Sequence, residues 1–137
     1  MDRLPTTITA AHLHLWALAR LSAGWDGHDA PPPSAMACER AHQVVSVAAS
    51  RGFTPSQVVP DVEGGVALYW YGEERTAGGG HRLAASVSID NDGDLFASMV
   101  DRVTQHVETW GALVDDLDAV LDRLMNFTAQ GAVRAAS

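Results

Sequence analysis

Residues 83–100 read LAASVSIDNDGDLFASMV, and this stretch decides the fold that the sequence predicts. Larger apolar side chains alternate with small or polar ones from Leu83 to Ile89, which is the period of a strand with one buried face. The residues at 90–94, Asp-Asn-Asp-Gly-Asp, are typical of a tight hairpin turn. A further strand over 95–100 follows the turn. The stretch therefore predicts two neighbouring antiparallel strands.

The rest of the predicted sheet lies on either side of this hairpin in the sequence. Residues 66–71 alternate in the same way, with large apolar groups on one face and Tyr69 and Tyr71 on the other. Short edge strands are expected over 58–62 and 102–107. Together these segments predict an antiparallel meander of three to five strands.

Three helices are predicted outside the sheet, over 8–22, 35–51 and 110–127. Each begins after residues that cap helix N-termini; the candidate caps are Thr6, Thr7 or Thr9 for the first, Ser34 for the second and Thr109 for the third. Apolar side chains lie all round the first helix, so we expect it to be central to the core or shared with a partner. The last helix has one apolar stripe and is expected to cover the sheet.

The predicted fold is therefore α+β, with two N-terminal helices, an antiparallel meander and a C-terminal amphipathic helix packed on the sheet. At 137 residues the chain has the length of one ordinary domain. We expect that domain to span residues 1–128. A flexible tail is expected over 129–137, where the residues are small and polar.

The chain is strongly acidic. It carries 17 acidic residues against 9 arginines and no lysine, for a formal charge of −8, and the excess lies entirely from Asp61 onward. Nucleic-acid binding requires basic groups that neutralise phosphates, so direct binding of nucleic acid is not expected. With one cysteine, no secretory signal and no apolar run long enough for a membrane span, we expect a cytoplasmic protein that does not enter a membrane.

No motif predicts a metal, a cofactor or a catalytic centre. His12 and His14 lie two apart, so on a helix they face away from each other and cannot share one metal ion. The turn at 90–94 resembles part of a calcium loop but lacks its glycine and glutamate positions, and a plain hairpin turn is the preferred interpretation. Cys38 and His42 are one helical turn apart, but Cys38 falls on a stripe that is expected to be buried and therefore inert. The sequence predicts a protein without enzymatic activity.

Trp25 is a large aromatic residue in the loop Gly24-Trp25-Asp26-Gly27. In the structural interpretation, Trp25 folds back onto the core and Asp26 accepts hydrogen bonds from loop amides. In the functional interpretation, the loop is a recognition edge whose tryptophan anchors a partner. The preferred interpretation is structural, and Trp25 and Asp26 remain candidate partner-binding residues.

Asp115, Asp118 and Asp122 recur along one face of the last predicted helix, at intervals of about 5–6 Å. Such a row can present negative charge to a basic groove that otherwise holds phosphates, with fast and salt-sensitive association. It is also compatible with ordinary solvation of an outer helix face. The first hypothesis is thus a protein-binding module, such as an antitoxin, an immunity protein or an inhibitor of a nucleic-acid-handling defence complex.

Two other classes of function stay open at this point. The apolar first helix and the aromatic pair Tyr69 and Tyr71 are compatible with a homodimeric scaffold or with a binder of small ligands. An enzyme with dispersed carboxylates and histidines is the third hypothesis, and a pocket that collects Asp26, His28 and another titratable group would support it.

Two segments also carry a resemblance. The loop at 24–27 precedes Ala30-Pro31-Pro32-Pro33-Ser34 and a helix, and Val59-Pro60 precedes Gly64-Gly65 at the start of the strand that contains Trp70. In these features residues 13–89 resemble a group of short uncharacterised bacterial proteins. The resemblance implies the order helix, helix, meander and a bacterial or phage source, and it implies no activity.

Overall fold

The computed structural model describes residues 9–112 and 114–136, with side chains over 9–112 and 115–130. It confirms the predicted α+β class. In chain order the elements are α1 (Ala10–Leu18), α2 (Ala35–Ser50), β1 (Gln57–Pro60), β2 (Val66–Tyr71), β3 (Leu83–Ile89), β4 (Leu95–Asp101), β5 (His106–Ala112), a 3-10 turn (Val114–Asp116) and α3 (Leu117–Ala136).

The five strands form one antiparallel sheet in the order β1-β2-β3-β4-β5, so each strand pairs with its neighbours in sequence. The hairpin at 83–100 is in register with Val87 opposite Ala97. Its turn follows the predicted turn chemistry, because Oδ1 of Asp90 accepts hydrogen bonds from the backbone N–H groups of Asp92 and Asp94. Because two strands lie on each side of it in this order, β3 is the central strand of the sheet.

One face of the sheet carries the core, and all three helices pack on it. The helix α1 lies against β1 and α2, α2 lies against β2 and β3, and α3 lies against β3 and β4. Trp70 is almost fully buried here; its ring stacks on Phe53 with centroids 5.0 Å apart, and its Nε1 donates to the Phe53 carbonyl at 2.9 Å. Burial of such apolar surface is the main stabilising contribution to the fold.

The opposite face, called here the outer sheet face, is formed by the alternate residues of every strand. No residue on it is buried, and in the part of the chain that the structure describes no helix packs over it. The outward residues are Gln57, Val59, Ala67, Tyr69, Tyr71, Ala84, Ser86, Ser88, Phe96, Ser98, Val100, Val107, Thr109 and Gly111.

The two glycines at the start of β2 are required for different reasons. Gly64 has φ +91°, a left-handed conformation that favours glycine. A Cβ atom on Gly65 would lie 2.3 Å from the carbonyl oxygen of Ile89, which belongs to the main chain of β3. The Gly-Gly pair therefore allows β2 to enter the sheet beside the end of β3.

Several predicted boundaries are wrong. The last helix begins at Leu117 instead of Trp110, because residues 106–112 complete the sheet as β5. The first helix ends at Leu18 and does not reach Ser22; its cap is Thr9, and the alternatives Thr6 and Thr7 lie outside the described residues. Both edge strands are displaced: the first is Gln57–Pro60 instead of 58–62, and the last is His106–Ala112 instead of 102–107.

The second helix agrees closely with the sequence, whereas the last helix ends later than predicted. The helix α2 spans Ala35–Ser50, and its predicted cap Ser34 accepts a hydrogen bond from the Ala37 N–H at 3.0 Å. The helix α3 continues to Ala136, through most of the segment expected to form a tail, and Ser137 lies outside the described residues.

Candidate partner-binding groove

An open groove of about 610 Å³ lies on the helical side of the molecule, between α2 and the start of α3. Side chains from the middle of α2 form one wall, and residues around the start of α3 form the other. Val47 and the buried Leu117 supply its apolar part. The lining residues are Glu39, His42, Gln43, Ser46, Val47, Asp115, Leu117 and Asp118.

Carboxylates stand on both walls of the groove. Glu39 belongs to α2, while Asp115 belongs to the 3-10 turn and Asp118 to the first turn of α3; all three are exposed. Asp122 follows Asp118 after one further helical turn, outside the lining. Of the row of aspartates predicted on the last helix, Asp118 and Asp122 therefore lie on α3, whereas Asp115 precedes it.

Arg51 binds two of these carboxylates. It caps the C-terminus of α2, and its Nη1 donates to Asp118 at 2.8 Å while its Nη2 donates to Asp122. The hydrogen bond to Asp122 raises the pKa of the Arg51 guanidinium. The charge of Asp118 and Asp122 is thus partly neutralised within the chain, and the negative charge of the groove is carried mainly by Glu39 and Asp115.

An aromatic edge borders the groove on the side of α1. Trp16 is 47% exposed, and its ring packs against His42 with centroids 5.8 Å apart. Leu13, one turn earlier on the same helix, is 56% exposed. The first helix therefore buries Leu15 in the core and leaves an apolar pair on its outer surface, beside the acidic groove.

His12 joins α1 to α2 behind this edge. It is 3% exposed; its Nδ1 accepts from the Thr9 N–H at 3.1 Å, and its Nε2 lies 3.0 Å from Oγ of Ser46. Because Nδ1 accepts, the proton of the neutral imidazole is on Nε2 and is donated to Ser46. Burial lowers the pKa of His12, which favours this neutral form. The pair is thus a structural contact, since His12 has no free lone pair with which to deprotonate Ser46.

The Trp25 loop is separate from the groove. Nε1 of Trp25 donates to the Pro31 carbonyl at 2.7 Å, and Oδ1 of Asp26 accepts from the N–H groups of His28 and Ala30. Among the described pockets and contacts, none brings Asp26 and His28 together with a further titratable side chain. These contacts agree with the structural interpretation of Asp26. Trp25 is half-buried and bonds to the main chain of its own loop, and it is not among the residues of the buried core cluster.

Of the remaining sequence candidates, Cys38 has a structural role and His42 lines the groove. Cys38 is buried, and burial raises the pKa of its thiol, opposite to the shift of an activated nucleophile. His42 stacks on His12, with centroids 5.9 Å apart. Over the described residues, no three side chains of His, Cys, Asp or Glu gather in a way that would hold a metal ion.

Sequence reasoning found Asp115 and Asp118 and missed four residues that define the groove. Glu39, His42 and Arg51 come from α2, and Trp16 from α1. A periodic pattern reports which residues share a face of one helix, but not which helices are neighbours. The one signal that the sequence did offer is the spacing of Glu39 and His42, which lie one turn apart on the same face of α2.

Comparison of the chain with protein-family models, with curated proteins and with solved structures finds no match in any of the three. Within the described part of the chain, no helix has both the length and the apolar character to cross a membrane.

Proposed function

We propose that this chain is a non-enzymatic protein-binding module whose acidic groove receives a basic segment of a partner protein. The observation that carries the proposal is an open groove with carboxylates on both walls, an apolar floor and an exposed tryptophan at its edge. A partner that matches it is an amphipathic segment with arginine or lysine on one side and an apolar anchor on the other. Segments of this kind occur where proteins bind the phosphates of nucleic acids. A chain that covers such a segment would block nucleic-acid binding, which supports the antitoxin, immunity-protein or inhibitor class.

The bonds of Arg51 within the chain illustrate the ligand chemistry that this acidic surface accepts. Asp118 and Asp122 are one helical turn apart, and one guanidinium already bonds to both. The fork of an arginine suits paired carboxylates, because its donors can bind two acceptors at once. Asp115 and Glu39 offer further carboxylates to an incoming base, at positions open to solvent.

The apolar part of the groove supports specific binding beyond charge. Rim charges set the association rate and exclude wrong partners, whereas buried apolar anchors supply most of the affinity. Trp16 is an exposed apolar group that packs on His42 of the groove lining, and Leu13 is exposed one turn earlier on the same helix. We therefore expect a partner to contact α1 and α2 together.

The experiment is capture of partners from the native host by the immobilised chain, followed by titration of the purified partner at about 50 mM and 500 mM salt, where the screening length falls severalfold. The test variant is Glu39→Gln with Asp115→Asn. We expect at least a tenfold loss of affinity at low salt, or about 1.4 kcal/mol, and a smaller loss at high salt.

The matched control is Asp61→Asn with Glu63→Gln, which removes the same charge from exposed positions in the β1–β2 turn. It should keep the parent affinity. Equal losses in both variants would mean that net charge alone drives association. Binding that neither salt nor the groove variant changes would contradict the proposed function.

A further inference from the structure

We propose that the outer sheet face binds a second copy of this chain, so that two sheets pack face to face in a homodimer. This face lies on the side of the sheet opposite to the helices, and it is independent of the groove proposed above. It is a broad surface formed by all five strands, with Phe96 42% and Val107 59% exposed. Apolar side chains of this size on an uncovered sheet are typical of an interface.

Charge is what distinguishes this face. None of its outward residues carries a charge at neutral pH, although the chain has a formal charge of −8. Two identical acidic chains repel each other wherever carboxylates meet, and like charges in contact cost several kcal/mol. Across the centre of the outer sheet face no such contact arises. Charged side chains stand at its two ends, with Asp61 and Asp90 beside Ala67 and Ser88 and with Arg102 beside Tyr71 and Val100. Two copies that pack with their strands in opposite directions bring these ends of opposite charge together.

The area of the face is close to what a dimer needs. Five strands about 4.8 Å apart, each about six residues long at about 3.3 Å per residue, give a face of about 480 Å² in projection. Two such faces in contact hide about 1,000 Å² in projection and more in accessible surface, near the roughly 1,200 Å² lower bound of specific interfaces. We therefore expect a dimer in the micromolar range.

The composition of the face also suits packing against another sheet. The central strand contributes only small outward residues, Ala84, Ser86 and Ser88, and β2 contributes Tyr69 and Tyr71, whose rings stack with centroids 6.4 Å apart. Sheets in sandwiches pack about 10 Å apart, and the outward side chains of this face can fill the space between two such sheets. Tyrosine is enriched in protein interfaces because it combines apolar area with a polar hydroxyl.

Sedimentation equilibrium from about 1 µM to 500 µM tests the proposal, because these concentrations bracket a micromolar dimer. The variant Ser86→Glu places a charge at the centre of the face, so that two copies would bring two carboxylates together. We expect the dissociation constant to rise at least about 100-fold. Ser50→Glu adds the same charge at an exposed site on the helical side and should leave the dimer unchanged.

A second matched pair keeps the test informative if Ser86→Glu does not fold. Phe96→Ser removes an exposed apolar group from the outer sheet face, and Leu13→Ser removes one from α1. The first should weaken the dimer, and the second should not. A chain that stays monomeric throughout the concentration range overturns the proposal. A dimer that Leu13→Ser dissociates and Phe96→Ser leaves intact also overturns it, because α1 would then be the interface.

Discussion

Gly65→Ala is expected to destabilise the fold, because the added Cβ collides with main-chain atoms that no rotamer change can move. The Cβ would lie 2.3 Å from the Ile89 carbonyl oxygen and 3.2 Å from Cα of Asp90, whereas ordinary contact begins near 3.4 Å. The start of β2 must then shift by about 1 Å, roughly a fifth of the 4.8 Å spacing between paired strands. Overpacking of this kind costs about 1–3 kcal/mol. In a chain of this length Tm should fall by about 3–10 °C.

Gly111→Ala provides the matched control. It makes the same chemical change within β5, and there a Cβ would meet nothing within 4 Å. Its free energy of unfolding should stay within about 0.5 kcal/mol of the parent. Urea unfolding followed by tryptophan fluorescence measures both variants. Equal free energies of unfolding for Gly65→Ala and Gly111→Ala would refute the reasoning that close approach to β3 demands Gly65.

Stability should fall as the pH drops below 6.5, because burial lowers the pKa of His12 and His42 in the folded chain and the unfolded chain therefore takes up protons first. Urea unfolding at about pH 7.5 and pH 5.5 measures this loss, and equal midpoints would contradict it. The buried thiol of Cys38 has a raised pKa, so its reaction with a thiol reagent should be at least about 100-fold slower in the native chain than in urea; comparable rates would show that it is accessible. Hydrogen bonds from Arg82 lower the pKa of Asp101 to about 2, so the stability that this pair contributes is present above the unfolded pKa of 3.8 and is lost as the pH falls towards 2. Asp101→Asn should therefore show a shallower acid transition between about pH 4 and pH 2, and an unchanged slope would exclude the pair as its cause.

The elements that the sequence predicted well have their ends marked by local chemistry. Ser34 satisfies an N–H group at the start of α2, and Gly52, with φ +71°, follows its C-cap. The turn after Ile89 is similar, because Asp90 bonds to its own loop. Such signals depend on a few neighbouring residues and need no knowledge of the tertiary structure.

The prediction of a helix for residues 110–112 was wrong for a tertiary reason. Trp110 begins an apolar run that continues into α3, so the helical pattern extends backward over it. In the folded chain Trp110 instead pairs with Ala97 in the sheet, and the guanidinium of Arg123 lies 4.2 Å from its ring centroid. Aromatic residues favour strands when a partner strand is available, and that partner is not visible in a local pattern.

The groove was predicted only in part, for a related reason. The bonds of Arg51 to Asp118 and Asp122 join residues 67 and 71 positions apart. Periodicity along the last predicted helix indicated a row of aspartates on its outer face. A pattern within one helix contains no information about Arg51 at the end of α2, which binds two of those aspartates.

The position of α3 after all five strands of the sheet has a consequence for the newly made chain. All five strands are complete by Ala112, and α2 alone is then present to cover the centre of the inner face. Until α3 is synthesised, the apolar groups of β3 and β4 that it covers remain open to water. Unfinished chains with exposed apolar sheets aggregate or are degraded. A chain truncated before Leu117 would therefore be removed by quality control, although it retains every strand.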